Sequence, residues 1–264
     1  MQKTKVVRNT AMLSLMSAAK IIFPFLTLPY LTRVLSVPGY ATVSYVKSAI
    51  QYAQLTVDFG FMLSTTRELV GLNKDEKVSA NAIISDTVFA RLLLAGLAFL
   101  GITALIPAIA ILRENILYTY LSFIPVVLSC FLLDFYFRAI EQMQEVSLRF
   151  VLMKGISTVL TFFVVRSDAQ ILWIPILDII SSLAAIVLVF FQLKKYGCKL
   201  VKPSFRSALK KIKVSFTYFL SNFATTAFGA LNTILIGIFL PECRSPIGRS
   251  PCRSSAPCRP CTPR

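Results

Sequence analysis

Histidine is absent from all 264 residues. That absence removes histidine metal sites, histidine proton relays and Ser-His-Asp nucleophilic catalysis. Acids are scarce too: 12 Asp and Glu stand against 28 Lys and Arg, a formal charge of +16. No acid pair suited to glycosyl chemistry and no glycine-rich phosphate loop can be picked out, so the chain reads as a non-enzyme with no cofactor. The six cysteines offer no metal site. Cys130 and Cys198 stand alone, and Cys243, Cys252, Cys258 and Cys261 lack the paired C-x2-C spacing of a zinc knuckle. No cleavable signal peptide is expected, because the first apolar stretch is too long for one and lacks a clear small-residue cleavage site.

What is abundant is apolar sequence. The chain is 56% hydrophobic with a mean hydropathy of +0.70, against about 45–50% apolar in soluble domains. The excess lies in long blocks at about 10–31, 41–63, 82–106, 116–137, 150–165, 171–193 and 214–240. Each suits a membrane-crossing helix, which takes about 20 apolar residues. The expectation is an all-α integral membrane protein of about seven transmembrane helices. Its parts are a six-helix lobe over 1–193, a basic loop over 194–213 and a seventh helix over 214–240. The positive charge sits between the blocks. With the N-terminus inside, the inner segments carry sixteen Lys and Arg, and the outer turns carry only Arg33, Arg113 and Arg166. The positive-inside rule accounts for this asymmetry without a nucleic-acid partner and places the N-terminus in the cytoplasm.

The second block is the informative one. Lys47, Gln51, Gln54 and Asp58 follow each other at steps of 4, 3 and 4, which puts them on one helical face. A charge at mid-membrane costs roughly 2.5–3.5 kcal/mol unless it faces a wet or partnered interior. The face therefore reads as the lining of a polar cavity. In the first block Ser17, Lys20, Pro24 and Thr27 share a face, and Pro24 and Pro29 kink the helix. Ser215, Asn222, Thr225, Gly229 and Asn232 form a stripe in the seventh, as well suited to packing as to a path. Asp178 sits mid-way in the sixth block, as a partner for Lys20 or Lys47 or as an ion site. Asp58 has Arg67 or solvent to satisfy it. Arg67 and Glu68 read as a helix cap or a pair. Asp86 and Arg91 read as interfacial, and Asp134 with Arg138 reads as an i, i+4 pair.

After Leu240 the composition changes abruptly. Residues 241–264 hold six of the 13 prolines and four of the six cysteines, with five arginines and one acid. No helix or strand period survives, so the segment reads as disordered. Arg, Pro, Ser and Cys together are what GC-rich DNA encodes in a shifted frame. The expectation is a frameshift near Leu240 and a truncated product; a thiol-rich or anion-binding tail is the alternative.

The run from Val57 to Val70, with Asp58-Phe59-Gly60-Phe61 followed by Ser64, Thr66 and Arg67, resembles a segment of Wzx-type O-antigen flippases. These are the polysaccharide branch of the multidrug/oligosaccharidyl-lipid/polysaccharide exporter superfamily. Arg8-Asn9-Thr10, the block Pro29-Tyr30-Leu31-Thr32-Arg33 followed by Pro38-Gly39-Tyr40, and Arg138 to Met143 resemble the same family, over about residues 5–240. The resemblance implies a two-lobed exporter of which this chain supplies one lobe and the first helix of the second. It implies a polyprenyl-pyrophosphate-linked oligosaccharide moved across a bacterial inner membrane by alternating access. Membrane lipids, a polysaccharide polymerase and its chain-length machinery would be the other partners. Lys20 and Lys47 would then meet phosphate. Gln51, Gln54, Asp58, Asn222 and Thr225 would line the rest of the path, with Asp178 as a coupling-ion or ion-pair site. A cation-coupled multidrug exporter and an inert truncated membrane protein are the competing readings.

Overall fold

The computed structural model of the protein describes residues 2–72, 77–196, 198 and 201–239; the cysteine-rich segment 241–264 lies outside the described residues. The chain divides into two units, residues 1–222 and 223–264. All side-chain geometry below belongs to the first. Among the described residues every regular element is helical. They are α1 (Gln2–Val34), α2 (Val37–Asp58), α3 (Phe61–Val70), α4 (Lys77–Leu105), α5 (Ala110–Glu114), α6 (Ile116–Ser129), α7 (Asp134–Ala139), α8 (Met143–Val164), α9 (Trp173–Tyr196) and α10 (Phe205–Phe239).

Five segments among the described residues are long and apolar enough to cross a membrane: Val7–Val34, Ser79–Leu105, Ile116–Ala139, Met143–Val164 and Asp168–Lys195. The protein is therefore an all-α, multi-pass membrane protein. At 22 residues α2 has the length, about 33 Å at 1.5 Å per residue, but its polar face keeps it out of that group. Large apolar side chains remain exposed on the outer faces, such as Phe25, Phe163 and Phe191. In lipid this exposure is the favourable state. Inside, α1 packs on α8, α8 on α9, α9 on α6, α6 on α2 and α2 on α4.

Three breaks depart from the apolar blocks. The block 41–63 is not one helix: α2 stops at Asp58, because Phe59 has φ 33° and Gly60 has φ 75°. The block 116–137 is also divided. Here α6 ends at Ser129, Leu133 takes φ 51°, and α7 starts at Asp134. Finally, α10 begins at Phe205, inside the segment expected as loop. Its start is held by Asp86 of α4, which accepts from the Ser204 amide at 2.9 Å and from the Ser207 hydroxyl. A helix start leaves amides without partners, and here another helix supplies the missing acceptor.

At the opposite end of the bundle two turns lock together. Ser36 caps α2, its Oγ accepting from the Gly39 amide at 3.2 Å. The Ser36 amide donates to Asp168 Oδ1, in the turn between α8 and α9, at 2.9 Å. Gly39 fits because any Cβ there would lie 2.4 Å from that carboxylate oxygen.

Candidate functional site

Two layers of charge lie within the bundle. The first is mid-span. Lys154, near the middle of α8, pairs with Asp178 of α9 at 2.7 Å, and Ser157 donates to the same carboxylate oxygen at 3.1 Å. Lys47, at the middle of α2, lies within electrostatic range of both Lys154 and Asp178. Tyr118 of α6, almost fully buried, lies within range of Asp178. On α1, Lys20 Nζ sits 5.5 Å from the centroid of the Phe150 ring, one turn before Lys154 on α8. Four helices thus bring three lysines and one carboxylate to similar depth. One pair cancels, and a positive excess remains.

The second layer lies where α2 ends, against the middle of α4 and the first turns of α7 and α8. Asp58 pairs with Arg91 of α4 at 2.7 Å. Asp134 pairs with Arg149 of α8, which also donates to the Leu132 carbonyl at 3.2 Å and lies 5.6 Å from the centroid of the Phe137 ring. Arg91 and Arg149 are both buried, so each carboxylate compensates a guanidinium that would be costly alone. This layer is neutral by pairs and reads as the structural floor of the bundle.

The predicted polar face of α2 therefore splits. Lys47 and Gln51 point to open space and make no hydrogen bond or ion pair among the described residues. Gln54 donates to Asp58 at 3.1 Å and to Ser129 of α6 at 3.2 Å, and Asp58 is held by Arg91 rather than Arg67, with its side chain still about half exposed. Asp178 pairs with Lys154 rather than with Lys20 or Lys47. Asp86 and Arg91, expected at the interface, are buried, and Asp134 takes Arg149 in place of Arg138. Ser215 of the seventh stripe is buried against Ser64 of α3, hydroxyl to hydroxyl at 2.6 Å, and serves packing. The side chains of Asn222 and Thr225 lie outside the described residues. Lys154 escaped the sequence reading. Its signal was present: a lone lysine in an apolar block, with Ser157 one turn on.

The motif Asp58-Phe59-Gly60-Phe61 gains a physical account. Asp58 anchors α4 through Arg91. Phe59 stacks on Phe219 of α10 at 4.5 Å between centroids and 14° between planes. Gly60 takes the left-handed conformation and lies under α10, where a Cβ would come 2.7 Å from Tyr218 Cβ and 2.9 Å from the Phe219 amide nitrogen. Phe61 is buried in the core beyond. Four consecutive residues break one helix and seat another.

Two relatives share sequence with most of the chain. A candidate O-antigen transporter of Shigella dysenteriae is 26% identical over 235 residues, covering 88% of this chain and 58% of the relative. Another of Escherichia coli K12 is 20% identical over 232 residues, covering 87% and 55%. The chain thus spans little more than half the length of the curated relatives it matches. No solved structure matches it. The sequence model of the polysaccharide biosynthesis protein family matches residues 6–242, which takes in all ten helices but the first residues of α1, and the chain belongs to that family.

Proposed function

We propose that the chain forms the first lobe of a flippase that carries a polyprenyl-pyrophosphate-linked oligosaccharide across the bacterial inner membrane by alternating access. In this reading residues 1–193 are the six-helix lobe, 194–213 join the lobes and 214–240 open the second. The observation that supports it is the mid-span excess of cations, Lys20, Lys47 and Lys154 with Asp178. Charge at that depth is expensive and points to an anionic cargo. A pyrophosphate head would meet Lys47 and Lys154, while Gln51 offers an amide to sugar hydroxyls. The names of the two relatives favour the same class of cargo. A cation-coupled multidrug exporter would instead need an excess of acid in this layer.

Deleting the gene and following the lipid-linked repeat unit tests the reading. The expected outcome is loss of surface polysaccharide, with the unit trapped on the cytoplasmic leaflet. Re-expressed from the intact gene, Lys154→Gln should restore transport about tenfold less well than the parent at equal protein level, the worth of one charged hydrogen bond. Normal surface polysaccharide in the deletion strain would sink the proposal.

A further inference from the structure

A cavity of about 620 Å³ opens between α3 and the first turns of α10, away from the mid-span lysines. Its volume falls within the roughly 300–1,000 Å³ typical of small-ligand sites. The walls carry three cations, Arg67, Lys210 and Lys211, and one acid, Glu68. Glu68 is taken up by Lys211. Arg67 donates to the Tyr218 hydroxyl at 3.3 Å and is otherwise exposed. Lys210 forms no ion pair among the described residues. Two positive charges therefore face the cavity uncompensated. The Tyr218 hydroxyl lies beside them and, accepting from Arg67, keeps its own proton to donate, which with the two cations suits a phosphate's several acceptor oxygens.

The helix that carries these lysines has two unlike faces. Ser207, Lys210, Lys211 and Tyr218 lie on the cavity side. Phe205, Leu209, Phe216 and Leu220, at steps of 4, 7 and 4, lie on the opposite side, each more than half exposed. An apolar face beside a cationic cavity at the end of the spans is the arrangement of a helix lying at a lipid headgroup boundary.

We infer that this cavity binds a phosphate-bearing anion, presented by a membrane lipid headgroup whose acyl chains lie along the apolar side of α10. The inference does not rest on the transport reading, and its readout is binding. The full chain, purified in a neutral detergent, is titrated with phosphatidylglycerol and, in a separate arm, with inorganic pyrophosphate. Lys210→Gln and the double variant Arg67→Gln/Lys210→Gln are compared with Lys213→Gln, which removes a lysine of the same helix that does not line the cavity. Retained lipid is counted by native mass spectrometry, and a thermal unfolding scan checks that each variant is folded. The expected result is saturable phosphatidylglycerol binding, weakened about tenfold by Lys210→Gln, further by the double variant, and less than twofold by Lys213→Gln. If only pyrophosphate binds, with the same pattern across variants, the site is an anion site for a soluble phosphate and the lipid source is overturned. Binding of neither probe, or binding equal in all variants, overturns the site itself.

Discussion

At the scale of single residues, the ion pair Asp58–Arg91 shows what a charge within a bundle needs. The Arg91 side chain is 9% exposed and the Asp58 side chain 47%. The burden of burial thus falls on the guanidinium, and the carboxylate is what makes it tolerable. Asp58→Asn keeps the shape and removes the charge, so it should destabilise the fold by about 1–3 kcal/mol, the cost of stranding a buried charged donor. Arg91→Met should cost a similar amount, and adding Asp58→Asn to it should then cost little further. A double-mutant cycle on thermal unfolding in detergent measures this. Additive losses would show that the pair contributes nothing as a pair. The pairing was not legible in the chain. Arg67 is close in sequence, whereas Arg91 is 33 residues away and reaches Asp58 only because α4 packs on α2. Asp134 repeats the lesson: an i, i+4 arginine was available, and the fold brought a more deeply buried one. The sequence does reveal which positions carry buried charge, but the choice among partners is made by packing.

At the scale of elements, the break between α2 and α3 is where composition misleads. Residues 41–63 are apolar enough to read as one span, and nothing in their hydropathy marks Asp58 as an end. The mark is Gly60. Only glycine enters the left-handed region without strain, and only a residue without Cβ lets another backbone come so near. Gly60→Ala should therefore loosen α10 from α3, because the atom it meets first is backed by the Phe219 main chain, which cannot rotate aside. Ser64→Cys paired with Ser215→Cys, in a chain freed of its own cysteines, reports the docking, since the two hydroxyls lie 2.6 Å apart. Oxidation should cross-link the two positions efficiently with Gly60 present and several-fold less with alanine there. Equal cross-linking would show that α10 is held by its other ties, the Asp86 cap and the Glu68–Lys211 pair. By contrast four of the five long apolar spans, whose period and length are insensitive to partners, were legible to within about three residues; the fifth starts at Met143, seven residues before the apolar block, because the polar turn of α8 that holds Glu145 and Arg149 is paired inside the bundle.

At the scale of the whole molecule, the turns fall into two sets. Ser36, Gly39 and Asp168 meet at one end, binding the α1–α2 turn to the α8–α9 turn. At the other end Asn9 near the chain's start donates to the Glu141 carbonyl at 2.9 Å, and Asp86 holds the start of α10. This partition is what the five apolar spans would give if each crosses once, with the α6–α7 break counted as a single crossing and α2 as a further helix of spanning length. It also matches the asymmetry of basic residues, most of which fall at the Asn9 end. The consequence can be tested without knowing the cargo. Cysteines introduced singly at Ser79, the first residue of one apolar span, and at Ser167, in the turn between α8 and α9, should lie on opposite sides of the bilayer. In intact cells a membrane-impermeant maleimide should label Ser167→Cys and spare Ser79→Cys until the membrane is opened. The expected sidedness rests on the positive-inside rule, by which the basic end would face the cytoplasm, where anionic lipid and the membrane potential hold Lys and Arg. If both sites label from the same side, one of the three spans between them does not cross. If Ser79→Cys labels first, the crossings stand and the orientation is reversed. In that case the mid-span lysines would keep their place, but the cavity beside α10 would face away from the cytoplasm.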